Sequence, residues 1–226
     1  MCEPRLFKET ENIFRLYTAL VLALAFFIGC SSPENSIRTG FDSGKYRTIV
    51  ALGDSIVKGY GVGKGWPEML ARSLADSFPN VRVFNAGRSG DTAGQGLSRL
   101  EDDVLTHDPD LVLVSFGLND MKNGIPVEQF GEDLGKVVDR ISAHGATVVL
   151  LTTTRLQRGT SMVARFNPGP FNDTIRAIAE GNGIWLIDVN KEAGGLNASK
   201  YLLDAAHPNT EGYRKLARII EKGLIG

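Results

Sequence analysis

The chain has 226 residues, with 25 Lys and Arg against 26 Asp and Glu, 42% hydrophobic residues, 26 Gly and 2 Cys. That length and apolar fraction describe one globular domain and exclude a disordered tail protein, while two cysteines cannot staple a scaffold of this size. A net charge of −1 with no long basic block also excludes a broad nucleic-acid surface, which rests on clustered Lys and Arg releasing counterions from phosphates.

In chain order, a mixed-charge start (Glu3, Arg5, Lys8, Glu9, Glu11, Arg15) leads into an apolar run of 13 residues from Leu16 to Ile28. A spanning helix needs roughly 20 such residues, so the run reads as the core of an export signal. The end of the run, Phe27-Ile28-Gly29-Cys30, resembles the lipobox of bacterial lipoproteins, with Phe27 where Leu is usual. That resemblance implies cleavage of residues 1–29 and a lipid on Cys30. It also implies an exported protein anchored to a membrane of the bacterial envelope, in the periplasm or at the outer membrane. A plain cleaved signal and an amphipathic N-terminal helix are the other readings of the same residues. Residues 30–44 are expected to be the lipidated Cys and a flexible polar tether, and residues 45–226 the folded domain. With Cys2 in the leader and Cys30 acylated, neither an internal disulfide nor a Cys metal site or nucleophile is expected.

From residue 46 on, apolar runs alternate with amphipathic stretches of helical length. Strands are predicted at Arg47–Leu52, Val81–Asn85, Leu111–Phe116, Thr147–Thr153 and Ile184–Val189. Most lack strict alternation, as expected of strands buried on both faces of a parallel sheet. Helices are predicted at Pro67–Phe78, Thr92–Thr106, Val127–His144, Phe171–Glu180 and Thr210–Lys222. Five strand-then-helix repeats predict an α/β fold, a three-layer α/β/α sandwich around a five-stranded parallel sheet. The stretch Arg155–Pro170 has no clear period and reads as a long functional loop.

Ligands of an open parallel sheet bind beyond the carboxyl ends of its strands. The first three strands are followed by Gly53-Asp54-Ser55, by Asn85-Ala86-Gly87-Arg88-Ser89-Gly90-Asp91, and by Gly117-Leu118-Asn119-Asp120; before the last helix stands Asp204-Ala205-Ala206-His207-Pro208-Asn209. A serine hydrolase needs a hydroxyl that attacks, an imidazole that takes its proton, a carboxylate that fixes the imidazole tautomer, and donors for an oxyanion. Ser55 follows a strand and a tight turn. Pro208 restrains His207 to extended backbone, and Asp204 lies close enough in a compact turn to reach its Nδ1. Asn119 can offer a side-chain amide and Gly90 a backbone N–H unobstructed by a Cβ.

These residues resemble the SGNH or GDSL hydrolases, whose four blocks are Gly-Asp-Ser, a Gly-centred turn, Gly-x-Asn-Asp and Asp-x-x-His. All four occur here in the family's order. The likeness is greatest to the thioesterase/lysophospholipase/arylesterase branch, which shares Ser55-x-x-x-Gly59-Tyr60, Gly65-Trp66-Pro67, Ser89-Gly90-Asp91-Thr92 and Pro109-Asp110-Leu111. Ile56 replaces the usual Leu, and Leu118 stands where that branch often has a second Gly. The resemblance implies a flavodoxin-like sheet and a cofactor-free hydrolase of acyl esters or thioesters acting on a small-molecule or lipid substrate. It implies Ser55 as nucleophile, His207 as base, Asp204 as its partner, and Gly90 and Asn119 with the Ser55 amide as oxyanion hole.

Other features read as structural. His107 and His144 each close a predicted helix, with Gly145 as a C-cap. Asp54 and Asp120 are expected to fix loops by hydrogen-bonding backbone, because a buried acid beside a developing oxyanion would repel it. Trp66 reads as core or pocket wall, and Arg88, Arg155, Arg158 and Arg165 as solvated unless an anionic head group meets them. The glycine-rich stretch Gly59-Tyr60-Gly61-Val62-Gly63-Lys64-Gly65 has neither Walker nor dinucleotide spacing, so no nucleotide is expected. Three dispersed His give no metal site. Two rivals remain: a carbohydrate O-deacetylase with a small acyl pocket, and a surface lipoprotein that keeps the fold as a non-catalytic binding module.

Overall fold

A computed structural model describes residues 34–153, 167–194, 199–204 and 206–226. Cys30, the expected export signal, the expected tether residues before 34, and Arg155, Arg158 and Arg165 lie outside the described residues. Five strands, β1 (Thr48–Gly53), β2 (Arg82–Gly87), β3 (Leu111–Ser115), β4 (Thr147–Leu151) and β5 (Trp185–Ile187), form one parallel sheet in the order β2-β1-β3-β4-β5. The expected sheet is therefore present, with β1 and β3 buried almost throughout.

This strand order reverses direction once, between β1 and β3, and the reversal sorts the helices onto two faces. On one face α3 (Trp66–Ser77) packs with the last helix, α10 (Thr210–Ile225). On the other, α4 (Ala93–Ser98) packs on α7 (Val127–His144), which packs on α8 (Gly169–Gly181). Three one-turn helices, α2 (Ser55–Lys58), α6 (Leu118–Lys122) and α9 (Val189–Glu192), follow β1, β3 and β5 directly. Trp66 opens α3 fully buried, in the core and against a small cavity that Ile56 and Leu216 also line, so both readings of it hold.

Two expectations are corrected. The stretch expected to be flexible tether holds a helix, α1 (Glu34–Asp42), and Ile37 and Phe41, one turn apart on it, are buried at 1% and 3% exposure. Phe41 meets Tyr46 edge-on and tilts against Phe78, so the packed body begins by Ile37. The single helix expected over Thr92–Thr106 is instead α4, a second short helix α5 (Leu100–Asp103) and a 3-10 turn (Leu105–His107). The break falls at Arg99 (φ −108°, ψ 9°), whose side chain turns inward, and the two glycines of α4 have little helix propensity to resist it. His107 closes that 3-10 turn and stacks on Phe84, and His144 ends α7 before the left-handed cap Gly145.

Candidate active site

Four segments meet where β1 and β3 diverge. Leaving β1, Asp54 caps α2 by accepting the Ile56 N–H at 2.8 Å, which sets Ser55 as the first helical residue. This turn tolerates no bulk: a Cβ on Gly53 would lie 2.4 Å from the Ser115 carbonyl of β3, and one on Gly87 would lie 2.2 Å from the Lys58 amide of α2. The Ser55 carbonyl accepts the N–H groups of Gly59 and Tyr60 at 3.1 and 3.0 Å and the Tyr213 hydroxyl at 3.4 Å. The nucleophile candidate thus stands on a short helix held at both ends.

His207 reaches it from a loop closed by three contacts. Leu202 bridges Pro208, the Leu203 N–H donates to the His207 carbonyl at 2.8 Å, and the Asn209 N–H donates to the Tyr201 carbonyl at 2.9 Å. Asn209 then caps α10 through the Glu211 and Gly212 amides. His207 Nε2 lies 3.0 Å from Ser55 Oγ, and Nδ1 lies 2.8 Å from Asp204 Oδ2. Burial disfavours the Asp204 charge, but hydrogen bonds from the Ala206 and His207 amides and from His207 Nδ1 together outweigh it. They hold its carboxyl below the usual value. An ionised Asp204 accepts only, so Nδ1 carries the proton and the Nε2 lone pair faces the Ser55 hydroxyl.

The opposite wall is built from the loops after β2 and β3. Asn119, buried on α6, donates Nδ2–H to the Asp91 carbonyl at 3.0 Å and to Asp54 Oδ2 at 3.3 Å. The first contact sets it beside Gly90 and the second beside Ser55. The longer bond is the weaker, and its N–H is the one an oxyanion can compete for. Gly90 adopts φ +91°, a left-handed conformation that suits glycine. Asp120 accepts the Ala93 N–H at 3.0 Å and the Gly117 N–H at 3.2 Å, pinning the two loops to each other. Both aspartates flanking the site residues therefore fix loops as expected.

Electrostatically the two differ from ordinary carboxylates. Desolvation, aided by Asp120 and Asp91 and opposed by the Ile56 amide, raises the Asp54 pKa to about 7. Burial likewise raises Asp120 despite its amide donors. Burial also pushes the Tyr213 phenol up, leaving it a neutral donor.

Sequence reasoning missed Arg99. Its side chain is 7% exposed, yet Nε donates to Asp91 Oδ2 at 2.6 Å, Nη1 to the Ala86 carbonyl at 2.8 Å and to Asp103 at 3.0 Å, and Nη2 to the Gly53 carbonyl at 3.0 Å. One guanidinium thus ties the ends of β1 and β2 to the Gly90 loop. Its i,i+4 spacing to Asp103 was visible in the sequence, but such pairs are usually solvated. Arg88, considered for an anionic head group, is exposed and pairs with Asp103.

The GDSL-like lipase/acylhydrolase family profile matches residues 51–215 of this chain. An arylesterase of Vibrio mimicus is 30% identical over 179 residues, 78% of this chain and 88% of that protein. A Bacillus subtilis protein, the uncharacterized lipoprotein YqeF, is 24% identical, covering 83% of this chain and 92% of its own length. Among solved structures, the lipase/acylhydrolase from Enterococcus faecalis superposes with a TM-score of 0.68 at 27% identity, covering 80% of this chain and 96% of that one.

Proposed function

The chain belongs to the GDSL-like lipase/acylhydrolase family and is an ester hydrolase, and from that premise we propose a two-step acyl-serine mechanism carried by Ser55, His207 and Asp204. The observation that carries it is the unbroken line from Ser55 Oγ through His207 Nε2 and Nδ1 to Asp204 Oδ2, with links of 3.0 and 2.8 Å. Such a line lets a base take the hydroxyl proton in the transition state.

Ser55 Oγ bonds to the acyl carbon as its proton passes to His207 Nε2, and the carbonyl π electrons move onto oxygen. That oxyanion is held by the Asn119 amide with the backbone N–H groups of Gly90 and Ser55. The tetrahedral adduct then collapses. The bond to the leaving alcohol or thiol breaks, and the departing atom takes the proton from Nε2. Water repeats the sequence on the acyl-enzyme, giving the free acid and restoring Ser55. Asp204 stabilises the imidazolium formed in each half.

The leader reading stands beside this. A short apolar run ending at Gly29-Cys30 supports export and a lipid anchor on Cys30 in the bacterial envelope, and the likeness to a protein named a lipoprotein accords with it. Radiolabelled palmitate incorporated by the wild-type chain in cells should be lost in Cys30→Ser; equal label in both rejects the anchor.

The catalytic reading is tested with p-nitrophenyl esters from acetate to palmitate and Ser55→Ala run in parallel. Turnover should fall by at least three orders of magnitude in the variant. Equal turnover would reject Ser55, and activity confined to acetate would favour the carbohydrate deacetylase over a hydrolase of longer acyl chains. No turnover of any ester, together with no reaction of Ser55 with a fluorophosphonate, would leave the binding module.

A further inference from the structure

The glycine-rich stretch from Gly59 to Gly65, which cannot be a phosphate loop, has a defined shape in the fold. Gly59 and Gly65 pack backbone to backbone, since a Cβ on Gly59 would lie 2.5 Å from the Gly65 Cα, and the Tyr60 N–H is tied to the Ser55 carbonyl at 3.0 Å. The loop therefore returns on itself and presents Tyr60 from a base attached to the nucleophile. The Tyr60 ring lies over the His207 imidazole with centroids 4.3 Å apart and planes inclined by 34°. Beside it, Leu203 rests on Gly61, where a Cβ would come 2.1 Å from Leu203 Cδ2.

Among the described residues, the large hydrophobic side chains left exposed are Tyr60, at 47%, and Leu203, at 51%. Both flank the same histidine. Exposed apolar groups that gather at a reaction centre, rather than scatter over the surface, mark a binding surface.

Which part of the substrate they meet follows from the chemistry proposed above, on which this inference rests. In the tetrahedral adduct the oxyanion faces Asn119 and Gly90, and the leaving atom must lie within hydrogen-bond reach of His207 Nε2 to take its proton. Substituents on that atom leave beside the imidazole, whose face carries the Tyr60 ring, with Leu203 next to that ring's loop at Gly61. The acyl chain departs from the same carbon in a third direction. We infer that Tyr60 and Leu203 form an apolar leaving-group subsite, which selects esters or thioesters of alkyl or aryl alcohols and thiols over those of polar alcohols such as sugars.

The test uses the purified full-length chain and the acetates of ethanol, butanol and hexanol, whose leaving groups differ in apolar length but hardly in acidity. Four added methylenes would be worth about two-hundredfold if fully buried, and an open platform covering part of them should raise kcat/KM about tenfold from ethyl to hexyl. Tyr60→Ala should flatten that ratio to within about twofold, and Leu203→Ser should lower it to an intermediate value. Because the readout is a ratio, a general loss of rate from a looser His207 does not imitate the effect. The profile along ethyl acetate, butanoate and hexanoate should keep its slope in both variants.

An unchanged leaving-group ratio in both variants overturns the subsite. So does a change confined to the acyl series, which would place the two side chains on the acyl path. A larger Tyr60→Ala loss on acetylated methyl xyloside than on hexyl acetate would also overturn it, by identifying a sugar platform. Should Tyr60→Ala fail to fold, the surface substitution Leu203→Ser decides alone. Failure of the catalytic reading looks different: no turnover that depends on Ser55 for any ester, which removes the subsite with it.

Discussion

The buried carboxyl of Asp54, next to the proposed nucleophile Ser55, makes the stability of this protein depend on pH in a direction opposite to that of most folded-state carboxylates. In the unfolded chain Asp54 ionises near 3.8, whereas in the folded chain it does so at about 7. Between those values the folded state holds a proton that the unfolded state has released, so stability falls as pH rises. Each pH unit across that span removes about 1.4 kcal/mol, and the wild type should lose up to about 4 kcal/mol from this group between pH 4 and 7. Asp54→Asn removes the ionisation and keeps an oxygen to accept the Ile56 N–H. It also turns an amide NH2 toward Asn119 Nδ2, which Asp54 now meets at 3.3 Å. That donor–donor contact should cost about 1–3 kcal/mol at every pH. Urea unfolding of both proteins from pH 4 to 8, extrapolated to water, should show the variant less stable at pH 4. The difference should then shift in the variant's favour by up to about 4 kcal/mol by pH 7 and become flat above it. Contributions from every other titrating group largely cancel in the comparison. A difference constant to within about 0.5 kcal/mol over the whole range would refute the argument, because Asp54 would then ionise alike in both states.

Asn119→Ala should retain the fold and lose two to three orders of magnitude in kcat, as removal of one oxyanion donor costs about 2.7–4 kcal/mol; wild-type turnover of a p-nitrophenyl ester would reject the assignment. Arg99→Met should lower stability by about 3–5 kcal/mol in thermal or urea unfolding, since it strands the buried Asp91 carboxylate. Arg99→Lys should recover only part of that, because an ammonium cannot reproduce the planar fork that serves two carbonyls and two carboxylates; full recovery would mean that charge alone matters there. Gly87→Ala should be strongly destabilising, as its Cβ would meet the backbone of Lys58 and not a side chain able to move; a melting temperature within two or three degrees of wild type would contradict the close packing of β2 on α2.

What the sequence made legible was local. Each of the first three blocks follows a strand directly, buried for β1 and β3 and half-buried for β2, so a polar, glycine-containing turn after a strand marked the edge of the sheet that carries the candidate site. Asp204 and His207 share one turn, and a three-residue spacing suffices to join them. The helix Glu34–Asp42 carried a signal too, the apolar pair Ile37 and Phe41 one turn apart, but polar neighbours obscured it. Arg99 and the role inferred for Tyr60 were not legible for another reason. The burial of Arg99 depends on acceptors from β1, β2, the Gly90 loop and α5 at once, and Tyr60 matters through a ring contact with a residue far along the chain. Neither relation has a period or a spacing.

Four carboxyl groups lie on the loops that carry the proposed catalytic residues, and an oxyanion forming among four fixed negative charges would be strongly disfavoured. The fold deals with them one by one. Asp91 is matched by the buried Arg99 guanidinium at 2.6 Å. Asp54 and Asp120 are pushed by burial toward the neutral form, and their amide donors set the loops without requiring full charge. Asp204 is held below the usual carboxylate value, and it is in contact with the imidazole that becomes a cation in the proposed mechanism. In the proposed mechanism, negative charge is thereby kept behind His207, where the imidazolium needs it, and diminished around Asn119 and Gly90, where the oxyanion forms. This division explains how a motif with aspartates beside both the proposed nucleophile and a proposed oxyanion donor is compatible with the proposed chemistry. It also implies that raising the pH through the Asp54 transition weakens oxyanion stabilisation as well as the fold.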